Sequence, residues 1–196
     1  MSGDVPPVAD EREGLIGYLG QQRYVLRITA YGLNEEQARA TPTPSALSVG
    51  GLIKHLAAAE RSWMDTVLQR KRDFGSADDY LEGFHLGPDD TLDSVLDDYA
   101  AAATETDQII DSIPDLGQAV PVPKDVPWFP KDVDAWSVRW VLLHLIEETA
   151  RHAGHADIIR EAIDGATGFP LMAAVEGWPE TPWMKAWEPA KDSSGV

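Results

Sequence analysis

A chain of 196 residues, 43% of them hydrophobic, is long enough to bury the core of one globular domain. Its 33 acidic against 16 basic residues give a formal net charge of -17, which repels phosphate backbones and anionic lipid surfaces and sets nucleic acid and membranes aside as partners. Cysteine is absent, so disulfides, thiolate catalysis by the chain itself and thiolate ligation of a metal by the chain are excluded.

The opening stretch, 1–13, is polar and acidic, without the basic start and apolar core of a signal peptide, and no apolar run approaches a membrane span. A soluble, cytoplasmic protein is expected, folded as one domain over 1–196 with a flexible arm over 1–9. A first helix should run from Asp10 or a neighbour as cap to about 31, with Leu15, Ile16, Leu19, Leu26 and Ile28 at helical spacing and Gly14, Gly17 and Gly20 weakening it locally. Asn34 caps a short helix that Thr41-Pro-Thr-Pro-Ser45 cannot continue. Ser48 opens a second long helix to about 70, with Leu52, Ile53, Leu56, Trp63, Met64, Val67 and Leu68 on its apolar face and His55 on or beside that face.

Residues 71–90 turn polar, with Phe74, Tyr80 and Phe84 as scattered anchors and His85 as a lone loop histidine, so an ordered connection is expected there. Thr91 caps a third long helix to about 113, ended by Pro114. The stretch 118–134 has room for a short extended piece, but Pro121, Pro123, Pro127 and Pro130 argue against a central strand, and no strand pair is expected. The fourth long helix starts near Ser137 and stops near Gly165. The C-terminal extension, 166–196, contains Trp178, Trp183 and Trp187 and should pack in part across the helices, with one helical turn around 172–176. Four long amphipathic helices imply an all-α four-helix bundle, an architecture that builds metal sites from side chains on facing helices.

The fourth helix carries three of the five histidines, His144, His152 and His155. At a spacing of four, His144, Glu148 and His152 form a drifting stripe, among leucines and isoleucines (Leu142, Leu143, Leu145, Ile146, Ile158, Ile159) that bury much of the helix. Inward imidazole and carboxylate need partners, and a divalent ion would satisfy several at once. Glu148 and His152 supply two donors one turn apart, with His55 the natural third from another helix. On spacing alone, an ordinary helix-surface ion pair is the better account. His144 begins the stripe a turn too early and reads as an interhelix histidine. Arg151 and Arg160 read as ion-pair partners of nearby acids, with a carboxylate clamp at a pocket mouth as the second reading. Trp63, Trp136 and Trp140 read as core packing, with pocket walls as the second reading.

Two segments change that balance. Gly51-Leu-Ile-Lys-His-Leu-Ala-Ala-Ala-Glu60 and Ser137-Val-Arg-Trp-Val-Leu-Leu-His-Leu-Ile-Glu-Glu-Thr-Ala-Arg-His-Ala-Gly-His-Ala-Asp-Ile-Ile-Arg-Glu161 closely resemble the DinB-like superfamily, and within it actinobacterial proteins related to mycothiol-dependent maleylpyruvate isomerase. The likeness extends to the Phe169-Pro and Gly177-Trp-Pro-Glu-Thr-Pro-Trp183 ending. It implies a four-helix bundle with a divalent metal, Zn2+ or Ni2+, held by His55, Glu148 and His152; glutamate at the middle position is similar to the mycothiol isomerase branch. Where many relatives continue from the last ligand with Arg-Gly-Gln, this chain has Ala153-Gly154-His155, which gives His155 an open role: proton carrier, fourth donor or partner of a ligand.

The resemblance further implies a low-molecular-weight thiol cosubstrate of the mycothiol type, transferred to a small-molecule electrophile or used to isomerise a double bond. Two other classes stand beside it. A hydrolase would need a general base near the metal, for which His155 and Glu147 are the candidates. A noncatalytic helical protein would bind a small apolar ligand or a protein partner, including as a homodimer.

Overall fold

The computed structural model describes residues 3–70 and 77–189, the side chains of 77–79 excepted. Phe74, expected as an anchor, lies outside the described residues, as do 1–2 and 190–196.

Side-chain chemistry sets the start of each long helix. In α1 (Glu11–Thr29) the Asp10 carboxylate accepts from the Glu13 N–H. A reciprocal pair between Asn34 and Gln37 opens α2 (Glu35–Arg39). Ser48 accepts from Gly51 at α3 (Val49–Val67), and Thr91 and Ser94 cap α5 (Leu92–Ser112) reciprocally. Ser137 accepts from Trp140 at α6 (Val138–Asp164), which ends at Gly165 with φ 76, a conformation that costs a residue without Cβ little. Between them lie the short α4 (Ala77–Glu82) and, after α6, α7 (Gly168–Glu176).

A strand pair does form, contrary to expectation: β1 (Ala119–Pro121) and β2 (Ala135–Ser137) run antiparallel with Ala119 opposite Ser137. Proline is tolerated because Pro121 takes the last position, after which the Val122 N–H donates to Asp134 O at 3.0 Å. The helix α7 is also longer than the single turn expected; Pro170 stands in its first turn, where an amide hydrogen would go unused.

α1 lies along α6 and α3 along α5, while α3 and α6 join the two pairs through a smaller contact. Apolar side chains fill two layers. One holds Leu26, Leu52, Ile53, Leu56 and Ile159, the other Leu19, Met64, Ile110, Val141 and Leu145. Between these layers every long helix contributes a buried polar residue: Arg23 from α1, Glu60 from α3, Thr106 from α5 and Thr149 from α6. Arg23 meets Glu60 in a two-pronged ion pair at 2.6 and 2.8 Å and reaches Asp107 at 2.9 Å. The Tyr99 hydroxyl abuts Thr149 in the same layer, though neither closes a well-formed hydrogen bond.

The C-terminal extension is fastened at a few points. The Tyr24 hydroxyl donates to Glu176 at 2.6 Å, and the Trp187 N–H donates to Pro170 O. The Trp187 ring covers Arg160, whose guanidinium is 4.7 Å from the ring centre. Arg160 is itself buried, donating to Thr29 O and Tyr31 O and pairing with Asp164, in line with the ion-pair reading. Trp183 departs from the expected packing and is 81% exposed. Leu143 and Ile158, expected among the buried residues of α6, are exposed because they fall on the face turned away from both α1 and α3.

Candidate metal centre

The site is built from the start of α3. Gly50 and Gly51 carry no Cβ, and that lets the chain at 84–86 lie directly on the helix: a Cβ at 51 would overlap the Phe84 carbonyl oxygen, and one at 50 would stand 2.6 Å from Leu86 Cδ1. Cationic side chains pin this crossing. Arg39 donates to the carbonyls of Leu86, Gly87 and Asp90, and Lys54 donates to His85 O at 3.1 Å and to the Asp90 carboxylate at 2.7 Å. One turn after Gly51, the His55 imidazole stacks on the Phe84 ring at 3.8 Å with an interplanar angle of 17°. Tyr80 of α4 meets the same imidazole edge-on at 6.0 Å. Phe84 thus matters at this site as a wall, which sequence pattern alone left as a scattered anchor. The His85 side chain points to solvent.

Across from His55, α6 presents Glu148 and His152. His55 Nε2 lies 3.3 Å and His152 Nε2 3.2 Å from the same Glu148 oxygen, Oε1. One donor atom from each residue falls within 4.8 Å of the others. Both imidazoles are buried and Glu148 is half-buried. Two imidazole nitrogens and a carboxylate oxygen converging from two helices form a donor set that suits a borderline divalent cation and leaves room for an external ligand.

The electrostatics favour an ionised carboxylate. Hydrogen bonds from His152 and His55 hold the Glu148 carboxyl well below the usual glutamate range, against the opposing effect of burial. The folded protein therefore keeps Glu148 charged at pH values where the unfolded chain, near 4.5, takes up a proton. This contribution to stability is present above pH 4.5 and lost as pH falls below it. Urea unfolding of the metal-free protein at pH 7, 4 and 3 is expected to show that loss, and Glu148→Gln should flatten it.

His155 stands behind His152, with the two Nδ1 atoms 3.4 Å apart, so His152 turns Nε2 toward Glu148 and Nδ1 toward His155. Burial, then the charges of His152 and Arg151, hold the His155 pKa below its ordinary value. Burial, with the Glu148 charge, keeps the Tyr80 phenol protonated to higher pH than usual.

The remaining candidates lie elsewhere. His144 stacks on Trp140 at 5.3 Å and touches Trp63 edge-on at 4.7 Å, and its Nδ1 is 3.5 Å from Glu147. Trp136 continues this stack behind Trp140 at 4.6 Å, so the stripe at 136, 140 and 144 is aromatic before it becomes ligating in type at 148 and 152. Glu147 is turned outward, away from the three converging donors. Arg151 is exposed.

The glycine at 51 allows a direct test of how the wall is built. Gly51→Ala forces α3 and the Phe84 carbonyl apart, and neither is a flexible side chain. A loss of about 1–3 kcal/mol in urea unfolding is expected, together with loss of the near-ultraviolet dichroism from Phe84 and Tyr80; unchanged stability would show that the crossing is looser than described.

Comparison with known proteins gives a family and a fold. The family model described as mycothiol-S-transferase matches residues 14–165. A crystal structure described as the conserved protein of locus from Enterococcus faecalis shares the fold, with a TM-score of 0.62 and 14% identity over 81% of this chain and 100% of that one. No curated protein matches the chain in sequence. Among the described residues, no helix is long and apolar enough to cross a membrane.

Proposed function

The chain belongs to the mycothiol S-transferase family, and from that premise we propose that it transfers a mycothiol-type thiol to a small-molecule electrophile with the help of a divalent ion, Zn2+ or Ni2+, held by His55, Glu148 and His152. The observation that carries this reading is the approach of two imidazole Nε2 atoms to one Glu148 oxygen in a chain without cysteine, so that any sulfur nucleophile must come from a cosubstrate. When bound, such an ion would lower the pKa of a thiol enough to hold it as thiolate at neutral pH.

The chain's own residues prepare that chemistry. With an ion on Nε2, the His152 Nδ1–H would be left to face His155 Nδ1, 3.4 Å away, a contact that would fix the ring in the usual manner of an outer partner of a ligating histidine. This gives His155 the task of orienting His152 in preference to carrying protons. Glu148 stays ionised and contributes negative charge to the site. The Phe84 ring covers one face of His55 and keeps water from it, while the Tyr80 hydroxyl, held protonated, offers a hydrogen bond at the rim.

Hydrolysis is less well supported. Glu147 is engaged with His144, and His155 lies behind a ligand, so neither candidate base faces the converging donors. Thiol-dependent isomerisation would use the same site, but the family match favours net transfer. The test is thioether formation from mycothiol and monochlorobimane. A rate above the uncatalysed one, abolished by chelation and restored by Zn2+ or Ni2+, is expected. A protein that retains no metal, or that gives the uncatalysed rate when loaded, would overturn the proposal.

A further inference from the structure

The four long helices leave one side open. Where α1 faces α5 the two backbones stand apart, bridged by the side chains of Arg12 and Arg23, and a cleft of about 600 Å³ lies between them. Its size falls in the range of small-molecule sites. None of His55, Glu148 and His152 lines it.

The cleft is built by side-chain size. Gly20 on α1 and Ala100 and Ala103 on α5 leave the space between the facing surfaces unfilled, and Val175 of α7 adds to the wall. Ile28 and Leu96 supply apolar surface, and the rings of Tyr24 and Tyr31 stand on the α1 side. Tyr99, 1% exposed, belongs to the same lining, with a hydroxyl that lacks a well-formed hydrogen bond.

The polar groups in this lining differ in how far they are committed. Arg23 is engaged by Glu60 and Asp107, and the Tyr24 hydroxyl by Glu176. The Arg27 guanidinium and the Tyr31 hydroxyl make no hydrogen bond or ion pair among the described residues. Arg27 is exposed and shares this with the exposed Arg151 of α6, but of the two only Arg27 lines the cleft. Arg12, Arg39, Arg61, Arg70, Arg139 and Arg160 are all held by carboxylates or main-chain carbonyls. A free guanidinium beside aromatic and aliphatic walls selects a ligand with one carboxylate and a flat apolar body.

We propose that the α1–α5 cleft is a second binding site, independent of the metal centre, for a small carboxylate with a flat apolar body. The carboxylate pairs with Arg27 and accepts from the Tyr31 hydroxyl, and the body lies between Ile28 and Leu96 over Ala100 and Ala103.

The test is a methyl-NMR titration of the full chain with 2-naphthoate and, in parallel, with the neutral 2-naphthylmethanol. Naphthoate is expected to shift the methyls of Ile28, Leu96 and Val175 saturably and to bind about tenfold more tightly than the alcohol, the worth of one charge-assisted hydrogen bond. Arg27→Gln should remove that preference and leave alcohol binding unchanged. Ala103→Trp should abolish both by filling the cleft, with Ala100→Phe as the alternative if the tryptophan variant does not fold. His152→Ala should leave naphthoate binding intact, which separates this site from the metal reading. The proposal is overturned by equal affinity for the two probes, by the absence of saturable shifts, by shifts confined to methyls near His55 and His152, or by wild-type binding in the filled variant.

Discussion

Replacing His152 with alanine is expected to weaken binding of the divalent ion by more than about a hundredfold, since loss of even an outer partner of a ligand costs about 10–100-fold. His152 supplies one of three donors, and its removal leaves Glu148 and His55 as a two-point site open on the side of α6. The measurement is metal content after gel filtration, followed by competition against a chelator. Thermal unfolding gives a second readout: an ion present at about a hundred times its Kd stabilises the wild type by about 2.7 kcal/mol, and that increment should vanish in the variant. His144→Ala, eight residues earlier on the same helix, should keep its metal because His144 is occupied with Trp140, Trp63 and Glu147. His155→Ala should fall between the two, at about a tenfold loss, through the freed orientation of the His152 ring. Wild-type affinity in His152→Ala would remove the basis of the proposed chemistry.

Arg23→Met is expected to produce the largest loss of stability among single substitutions away from the site, about 3–5 kcal/mol by urea unfolding at pH 7. The reason lies in what remains behind. Glu60 is fully buried, and without the two-pronged contact from Arg23 its carboxylate has no other ion pair among the described residues. Removing both charges is a different matter: an isolated pair replaced by well-packed apolar side chains is often neutral. The double variant Arg23→Met with Glu60→Leu should therefore recover most of the loss, and the cycle gives the coupling between the two groups directly. Additive losses in the double variant would mean that the pair contributes by shape rather than by charge.

Much of this architecture could be read before any coordinates, and the reason is local. Asp10, Asn34, Ser48, Thr91 and Ser137 each satisfy a main-chain donor three residues on, and Gly165 takes the left-handed conformation that stops α6, so the helix ends depend on neighbours within one turn. The short ribbon was missed because its pairing joins residues some sixteen apart, and its prolines obscure a strand that needs only three residues. The length of α7 was underestimated because Pro170 looks like a breaker, although in a first turn it is not. Period alone also misplaced Leu143 and Ile158, since a helix with neighbours on two sides still leaves one apolar-looking edge in water.

The candidate site divides in the same way. The three converging side chains were named by likeness to a family, and spacing by itself would have left Glu148 and His152 as a plain ion pair. What no pattern could show was the company they keep. The Phe84 wall depends on an absent Cβ at Gly51 and on Arg39, 45 residues away in sequence, and the Arg23–Glu60 pair spans 37 positions. Such contacts are made by the fold and are not signalled by residues close in sequence.

The seam between α3 and α6 has a mechanical consequence. The donors proposed to hold the ion come from those two helices alone, and α3 and α6, beside the Arg23–Glu60 pair, join the α1–α6 half to the α3–α5 half. A cation bound there would act as a rivet between two subassemblies, each firm within itself. Extracting it should loosen the joint more than the parts, so amide exchange should quicken along the facing edges of α3 and α6 while the interiors of the two pairs remain slow.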